Sequence, residues 1–191
     1  MDTQNLTPEV EQSEAVKKDP IREFFFTVEL LAVAAAIVLL FFTFIARITV
    51  VEGGSMEETL LGGDKLIVSD IFYTPERGDI VIIQSPTVNG GEAIVKRVIA
   101  VAGDTVTVKS DGVYVNGERL SETDGSLGYT VESCKYLAKP PITVEEGHIY
   151  VLGDHRSVSY DSRSFGTVDE RAVIGKVLLR VSPFSAFGTV D

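Results

Sequence analysis

Cysteine and histidine are scarce in this chain. A single cysteine, Cys134, among 191 residues excludes an internal disulfide framework, and no neighbour in sequence would activate its thiol as a catalytic group. The only histidines are His148 and His155, too few for a histidine-rich metal site, and no spacing of acidic residues supports a mixed one. The sequence therefore predicts no metal centre.

Basic residues are also few. The chain carries 17 Lys and Arg against 28 Asp and Glu, a net charge of -11, and the basic residues form no cluster. Proteins that bind nucleic acid present basic surfaces to the phosphate backbone, so we predict no nucleic-acid partner. The length suffices for one membrane segment and one domain of about 145 residues, which can bury a core without disulfides or metals.

One long apolar segment is present. From Phe24 to Ala46 the only charged residue is Glu29, which we place at the level of the lipid headgroups. As a helix rising about 1.5 Å per residue, this segment reaches about 34 Å and can cross a hydrocarbon core of about 30 Å. A cleaved signal peptide is the competing interpretation, but the apolar stretch is too long and Arg47 onward offers no small-x-small cleavage site. The sequence favours an uncleaved transmembrane helix over residues 24–46.

The basic residues near this segment predict its orientation. Lys17, Lys18 and Arg22 precede it, whereas Arg47 alone follows closely. An excess of basic residues marks the cytoplasmic side of a membrane helix. We therefore expect a single-pass protein of the cell membrane with residues 47–191 outside the cytoplasm. Residues 1–23 are predicted to form a disordered cytoplasmic tail.

After the apolar segment the pattern changes to short runs rich in Val and Ile, each bounded by turn residues. Asp111-Gly112 lies between two such runs and predicts a hairpin. We predict strands at residues 48–51, 65–68, 80–84, 94–101, 105–108, 113–115, 149–152 and 172–181. This pattern predicts a mainly β domain, a barrel or sandwich, over residues 47–191. The polar segment 121–141 is predicted to be an insertion or long loop.

A serine in a glycine-opened turn, Gly53-Gly54-Ser55, is a candidate nucleophile close behind the apolar segment. A serine hydroxyl reacts only when a neighbouring base removes its proton. His155 or His148 could be that base in a Ser-His-Asp arrangement. Lys96 could serve if burial keeps its amine neutral, and aliphatic residues flank it on one face of its predicted strand. An ordinary edge-strand lysine fits the same pattern, so the residues alone leave the base undecided.

Four boxes along the chain carry a family resemblance. They are Ser55-Met56-Glu57-Glu58-Thr59-Leu60, Arg77-Gly78-Asp79-Ile80-Val81, Lys96-Arg97-Val98-Ile99 leading to Gly103-Asp104, and Gly153-Asp154-His155-Arg156 through Asp161-Ser162-Arg163 and Gly166. With the apolar segment before them, the chain resembles the type I signal peptidases, membrane-bound serine–lysine endopeptidases that remove signal peptides from exported proteins. Each box alone is a weak signal, but their joint order and spacing are specific. The resemblance covers nearly all of the chain.

The resemblance implies the catalytic residues. Ser55 would be the acylated nucleophile, Lys96 the general base, and Ser159 the serine that hydrogen-bonds the lysine amine and orients it. The backbone N–H of Ser55 would donate to the oxyanion, a contribution of roughly 3–4 kcal/mol. Some family members add a side-chain hydroxyl two residues before the nucleophile, where this chain has Gly53. We therefore expect donation from the backbone to dominate. Acyl transfer of this kind needs no cofactor.

The resemblance also implies supporting charges. Asp161 and Arg163 match residues that brace the site by ion pairing, and Asp154 matches an acidic residue that we expect to pair with Arg97. A solvated charge network would contribute little to stability. Loss of one partner of a buried pair, by contrast, would cost about 3–5 kcal/mol.

Two positions depart from the family pattern. Glu58 stands where proline is usual, and His155 stands where asparagine is usual. Without proline the turn after the serine is less pre-set, and a carboxylate near Lys96 would favour the ammonium form. We hypothesise that Glu58 moves the activity optimum to higher pH. Matching alkaline limbs in the pH–rate profiles of the native protein and Glu58→Pro would refute this.

The function implied is removal of signal peptides from exported precursors, after small residues at the first and third positions before the scissile bond. The partners would be precursor proteins and the lipid bilayer. The main rival is a non-enzymatic, membrane-anchored factor of the same descent that assists assembly of surface proteins. A self-cleaving regulator would carry a DNA-binding module, and a lipid-surface hydrolase would carry a Gly-x-Ser-x-Gly elbow; this chain has a membrane segment and no such elbow.

Overall fold

A computed structural model describes residues 19–44, 47–57, 59–120 and 137–190. Most of the predicted tail and most of the predicted insertion lie outside these ranges, as do Glu58 and Cys134. The chain divides into two units, Met1–Leu40 and Phe41–Asp191.

The first element is a single apolar helix, α1, which spans Pro20–Phe44. Asp19 caps it by accepting a hydrogen bond of 3.1 Å from the N–H of Ile21, and proline suits the first helical position because its missing N–H would have no helical partner there. The helix therefore begins four residues before the apolar segment that the sequence marks. Pro20–Leu40 has a mean hydropathy of 2.2 and is long enough to cross a membrane. Its side chains are exposed, so it presents apolar surface on all sides.

The second unit is built from two antiparallel sheets. Seven strands form the larger sheet in the order β1-β2-β11-β3-β4-β9-β10, and four form the smaller one in the order β7-β6-β5-β8. The strands are β1 Arg47–Val50, β2 Lys65–Ser69, β3 Ile80–Ile83, β4 Ile94–Ala100, β5 Thr105–Lys109, β6 Gly112–Val115, β7 Glu118–Arg119, β8 Ile142–Thr143, β9 His148–Leu152, β10 Val168–Asp169 and β11 Val173–Ser182. A short helix, α2, spans Ser162–Phe165.

The predicted β architecture is confirmed. Each of the eight predicted runs corresponds to one strand, with ends that agree to within one residue, and the predicted hairpin joins β5 to β6 with Lys109 opposite Gly112. The sequence did not predict β7, β8 and β10. Each of these has two residues, which is too short to show a hydrophobic alternation.

Three groups of buried aliphatic side chains form the core of the β unit. One of them lies between β2, β3 and β11 and includes Leu66, Ile80 and Val177. Met56 and Leu60 pack into this same group. The turn that carries Ser55 is therefore anchored in the core by residues directly after the serine.

Candidate active site

Ser55 lies in a tight turn shortly after β1. Gly53 has a φ of 78°, a left-handed conformation that glycine adopts without strain, so the chain can reverse just before the serine. After the serine, the N–H of Leu60 donates to the carbonyl of Met56 at 2.7 Å and closes one helical turn. Because both of these side chains are buried, the turn holds Ser55 at the edge of the core.

Lys96 meets Ser55 directly. Nζ of Lys96 lies 2.7 Å from Oγ of Ser55 and donates to the carbonyl oxygen of Val95 at 2.9 Å. Lys96 lies in β4 opposite Val81 of β3 and is 2% exposed. The alternative of an ordinary, exposed lysine on an edge strand does not fit, because the side chain of Lys96 is buried and β4 lies inside the larger sheet, although β9 begins to pair with β4 only at Arg97.

Burial shifts the proton affinity of this lysine. Desolvation of the ammonium lowers the pKa of Lys96 from 10.5 to about 8, and the nearby carboxylates of Asp161 and Asp154 oppose the shift. Near pH 7 roughly a tenth of the side chain is then the neutral amine, the form that can accept a proton. The pair has the contact and the protonation equilibrium that serine activation requires.

Behind the lysine lies a buried ion pair between adjacent boxes. Nε and Nη2 of Arg97 donate to the two oxygens of Asp154 at 3.0 and 2.8 Å, and Nη1 donates to the carbonyl of Gly78 at 2.8 Å. The side chains are 1% and 0% exposed. The same carboxylate accepts a hydrogen bond of 2.6 Å from Oγ1 of Thr59. The Arg97–Asp154 pair is therefore buried and not solvated, and Thr59 connects it to the turn that carries Ser55.

A second ion pair organises the C-terminal box. Asp161 caps α2 and its carboxylate accepts from Nε and Nη2 of Arg163, both at 2.8 Å. It also accepts from the N–H of Gly153 at 3.1 Å. Arg163 in turn donates to the carbonyl of Arg156 at 2.7 Å. The ion pair thus connects the start of α2 to Gly153 and Arg156, near the beginning of the loop between β9 and α2.

The hydrogen bond from Ser159 to the lysine amine is not formed. Oγ of Ser159 is buried and has no hydrogen-bond partner among the residues that the structure describes. The Lys96 amine bonds Ser55 and Val95 instead. A side chain at Gly153 would overlap Oγ of Ser159 and the carbonyl oxygen of Ser55, so the loop packs both of them against this glycine. The implied contact is wrong for this arrangement, because packing against Gly153 places the hydroxyl elsewhere.

His155 does not take the place of the lysine. Its Nδ1 lies 3.1 Å from the carbonyl oxygen of Gly54 and 3.1 Å from a carboxylate oxygen of Glu57. The other histidine, His148, lies at the start of β9 with Nδ1 against the carbonyl of Glu146. The only side chain in the described ranges that hydrogen-bonds Oγ of Ser55 is Lys96.

A groove of about 560 Å³ opens beside Ser55 and Lys96. Its other lining residues come from β1 and the residues after it, from β3, and from the start of β4 and the segment before it. The apolar ones are Val50, Ile82, Ala93, Ile94 and Val95, and the polar ones are Thr49, Glu52, Asn89 and Glu92. β1 is the last strand of the larger sheet, and β9 pairs with β4 only from Arg97 onward. Along both borders of the groove, the outer edge of β1 and the N-terminal end of β4, no described strand pairs with the backbone.

Four residues of this region were not assigned a role from sequence. Thr59 bonds Asp154, and Nη1 of Arg180 donates to the Thr59 carbonyl at 3.0 Å. Arg156 is buried and donates to the carbonyl of Gly153, while Oγ of Ser162 accepts from the N–H of Val151 at 3.0 Å. Thr59, Arg156 and Ser162 lie inside the four boxes, and this position in the sequence could have marked them as part of the site. Nothing in the sequence marked Arg180, because it is 121 residues from its partner.

No group of three His, Cys, Asp or Glu side chains in the described ranges is arranged to hold a metal ion. The site brings together a serine, a buried lysine amine and backbone N–H groups. This combination suits transfer of an acyl group to a serine.

Known proteins are similar to this chain in sequence. Residues 24–182 match the family described as "Signal peptidase, peptidase S26". The chain is 36% identical over 175 residues to "Signal peptidase IB" of Staphylococcus aureus (strain Mu50), covering 83% of this chain and 90% of that protein. It is 36% identical over 170 residues to "Probable signal peptidase I-1" of Synechocystis sp., covering 84% of each.

A signal peptidase I of known crystal structure, from Enterococcus faecalis V583, is 34% identical to this chain. The match covers 55% of this chain and 97% of that one, with a TM-score of 0.44. The family match and the sequence identities alone confirm the resemblance seen in the boxes. The chain belongs to the signal peptidase family S26 and is an enzyme of that family of serine hydrolases.

Proposed function

We propose that this protein is a membrane-bound serine endopeptidase that removes signal peptides by acyl-enzyme chemistry, with Ser55 as nucleophile and Lys96 as general base. The observation that carries the proposal is the contact of 2.7 Å between Nζ of a buried lysine and Oγ of this serine. A lysine with its pKa lowered to about 8 can accept the serine proton at moderate pH.

In the first half-reaction, the neutral amine of Lys96 takes the hydroxyl proton while Oγ of Ser55 attacks the scissile carbonyl carbon. The carbonyl oxygen becomes an oxyanion, and the backbone N–H of Ser55 donates to it. When the tetrahedral intermediate collapses, the C–N bond breaks and Lys96 returns the proton to the leaving amine. That amine is the N-terminus of the mature protein.

In the second half-reaction, Lys96 removes a proton from water, and the hydroxide attacks the acyl-enzyme carbonyl. Collapse of this intermediate breaks the bond to Oγ, which recovers a proton from the lysine. The signal peptide leaves with a free carboxylate. Each proton taken by Lys96 is returned within the same half-reaction, so no cofactor enters the cycle.

The groove supports an extended substrate. The edge of β1 and the N-terminal end of β4 can each hydrogen-bond a peptide that lies between them as an added strand. The apolar part of the lining, formed by Val50, Ile82, Ala93, Ile94 and Val95, suits small apolar side chains, while Thr49, Glu52, Asn89 and Glu92 line the rest of the groove. We assign to this groove the small residues at the first and third positions before the scissile bond.

Two ion pairs support the proposed site. The buried Arg97–Asp154 pair joins the lysine strand to the Ser55 turn through Thr59, and the Asp161–Arg163 pair holds the C-terminal loop. Ser159 stays a predicted supporting residue, although its hydroxyl does not bond the amine of Lys96 in this structure. A buried hydroxyl without a partner is rare, so we expect that a group of the substrate, or the amine of Lys96 once it leaves Ser55, engages it during the reaction.

The apolar helix α1 supports anchoring in the cell membrane. The basic residues before the apolar segment support a cytoplasmic N-terminus and an external catalytic unit. Its substrates carry apolar signal segments that enter the same bilayer. Enzyme and substrate then meet by diffusion in two dimensions. The partners proposed are therefore signal-peptide-bearing precursors and lipid.

The test is cleavage of a secretory precursor by the detergent-solubilised full-length protein, with the product mapped by mass spectrometry. Ser55→Ala and Lys96→Ala should both abolish cleavage at the signal junction. If either variant cleaves there as well as the native protein, the serine–lysine mechanism is wrong. If no version cleaves where a known signal peptidase does, a dedicated substrate or the non-enzymatic role is favoured instead.

A further inference from the structure

His155 contacts the Ser55 turn at two successive peptide groups. Its Nδ1 lies 3.1 Å from the carbonyl oxygen of Gly54, and its backbone N–H donates to the carbonyl oxygen of Ser55 at 3.0 Å. These contacts join residues about one hundred positions apart in the chain. One residue of the C-terminal box thereby holds the peptide groups on both sides of the Ser55 Cα.

We infer that His155 is a positioning residue that aims the backbone N–H of Ser55 at the oxyanion. The inference rests on the proposed function, because that function makes this N–H the oxyanion donor. The peptide group between Gly54 and Ser55 is planar and trans, so its C=O and N–H point in opposite directions. A hydrogen bond that holds the Gly54 oxygen therefore sets the direction of the Ser55 N–H.

This peptide group needs such support because of the two glycines before the serine. Neither Gly53 nor Gly54 has a Cβ, and Gly53 already adopts a φ of 78°, so the local chain restricts rotation of the peptide group only weakly. Within the turn, the N–H of Glu57 also donates to the Gly54 oxygen, at a longer 3.2 Å. The imidazole supplies a second donor from outside the turn. Gly53 offers no side-chain hydroxyl to the oxyanion, which leaves the backbone N–H to stabilise it.

The neighbours of the imidazole assign its tautomer. Nδ1 faces two acceptors, the Gly54 carbonyl and the Glu57 carboxylate, each at 3.1 Å. Neither can donate to a nitrogen lone pair, so we assign the hydrogen to Nδ1, which then donates to the Gly54 oxygen. An asparagine amide at this position could make the same donation, whereas alanine could not.

The experiment compares His155→Ala, His155→Asn and His148→Ala as detergent-solubilised full-length proteins, with a fluorogenic precursor peptide as substrate. We expect His155→Ala to lower kcat by about tenfold to a hundredfold with KM changed by less than about threefold, since the oxyanion exists only beyond the ground state. His155→Asn should restore kcat to within about threefold of the native value. His148→Ala removes the other histidine and should leave both constants unchanged.

A second measurement is independent of catalysis. Hydrogen–deuterium exchange of the peptide that covers residues 53–57 should be faster in His155→Ala than in the native protein and close to native in His155→Asn. Because the asparagine cannot form an ion pair with Glu57, rescue by it assigns the effect to the Gly54 contact. Thermal unfolding of each variant identifies any that fails to fold, and the soluble His155→Asn then still reports on the contact.

Unchanged kcat in His155→Ala, an effect on KM alone, or equal damage in His155→Asn would each overturn the inference. Ser55→Ala and Lys96→Ala are measured in the same assay. If cleavage survives both of these substitutions, the proposed function itself has failed, and not only the inference about His155. If the native protein does not cleave the peptide, the exchange rates of residues 53–57 still test the inference. Equal rates in the native protein and in His155→Ala would show that His155 does not hold the turn.

Discussion

Lys96 is the residue whose protonation is expected to set the pH range of activity. Its pKa of about 8 lies well below 10.5 because burial disfavours the ammonium. General base catalysis needs the neutral amine, so activity should fall as pH drops through this value. We expect log kcat/KM to rise by about one unit per pH unit below pH 8 and to level off above it.

The measurement is kcat/KM of the solubilised protein between about pH 6 and pH 10. An acid limb centred near 10.5, the ordinary value for lysine, would show that burial does not tune this amine. Residual cleavage by Lys96→Ala, if any is seen, should lack the limb altogether. The Glu58→Pro comparison uses the same profile and asks whether a carboxylate after Ser55 moves it.

Lys96 should also lower the stability of the enzyme that it serves. Its folded pKa of about 8 is below its unfolded value, so the unfolded chain binds more protons between these pH values. The resulting loss in the free energy of unfolding is absent above the pKa that Lys96 has in the unfolded chain. It grows as the pH falls and reaches its full size below about pH 8. Lys96→Met keeps the length and removes the charge, and should raise the free energy of unfolding by roughly 1–3 kcal/mol near pH 7.

Denaturant unfolding at a neutral and an alkaline pH tests this expectation. The advantage of Lys96→Met over the native protein should shrink as pH rises. Lys65→Met serves as the control, because it makes the same substitution at an exposed position on β2. If Lys96→Met is less stable than the native protein at neutral pH, the expectation that Lys96 lowers the free energy of unfolding is wrong.

At the scale of elements, the Arg97–Asp154 pair connects three parts of the site. It links β4 to the loop after β9, and through Thr59 it reaches the turn that carries Ser55. Asp154→Asn would leave the guanidinium of Arg97 buried without its countercharge. We expect a loss of about 3–5 kcal/mol in the free energy of unfolding.

An exposed ion pair provides the matched control for this prediction. Arg171 pairs with Asp169 at the surface, where the arginine side chain is 90% exposed. Arg171→Ala should therefore leave the midpoint of thermal unfolding close to that of the native protein, because exposed ion pairs contribute little to stability. Thermal unfolding of both variants measures the difference, and a loss for Asp154→Asn as small as that for Arg171→Ala would show that the buried pair is dispensable.

For the whole molecule, the arrangement across the membrane is the main open prediction. Basic residues before α1 predict that the N-terminus stays in the cytoplasm and that the β unit is external. With Cys134 replaced by serine, a cysteine at the exposed position of Glu118 should react with a membrane-impermeant maleimide in intact cells. A cysteine in place of Ser13 should react only after lysis. The opposite labelling pattern would reverse the proposed topology.

The fold follows from local sequence signals to a large degree. Val- and Ile-rich runs between glycine turns located eight strands, because alternation and turn residues act over a few positions. The start of α1 at Pro20 was missed, although Asp19-Pro20 is a recognisable helix start once the cap is considered. The order of strands in the sheets could not be read from sequence, since β2 and β3 both pair with β11, far along the chain.

The sequence by itself determined the family, the candidate serine and lysine, and the apolar helix, because these depend on residue types in a fixed order. Only the tertiary structure decided that Lys96 is buried and meets Ser55, since the two residues are 41 positions apart and meet only when β4 packs against the turn. It also decided that Ser159 makes no bond to the lysine and that His155 holds the Gly54 carbonyl. Hydrogen bonds change over a few tenths of an ångström, and side-chain packing, not residue order, sets distances on that scale.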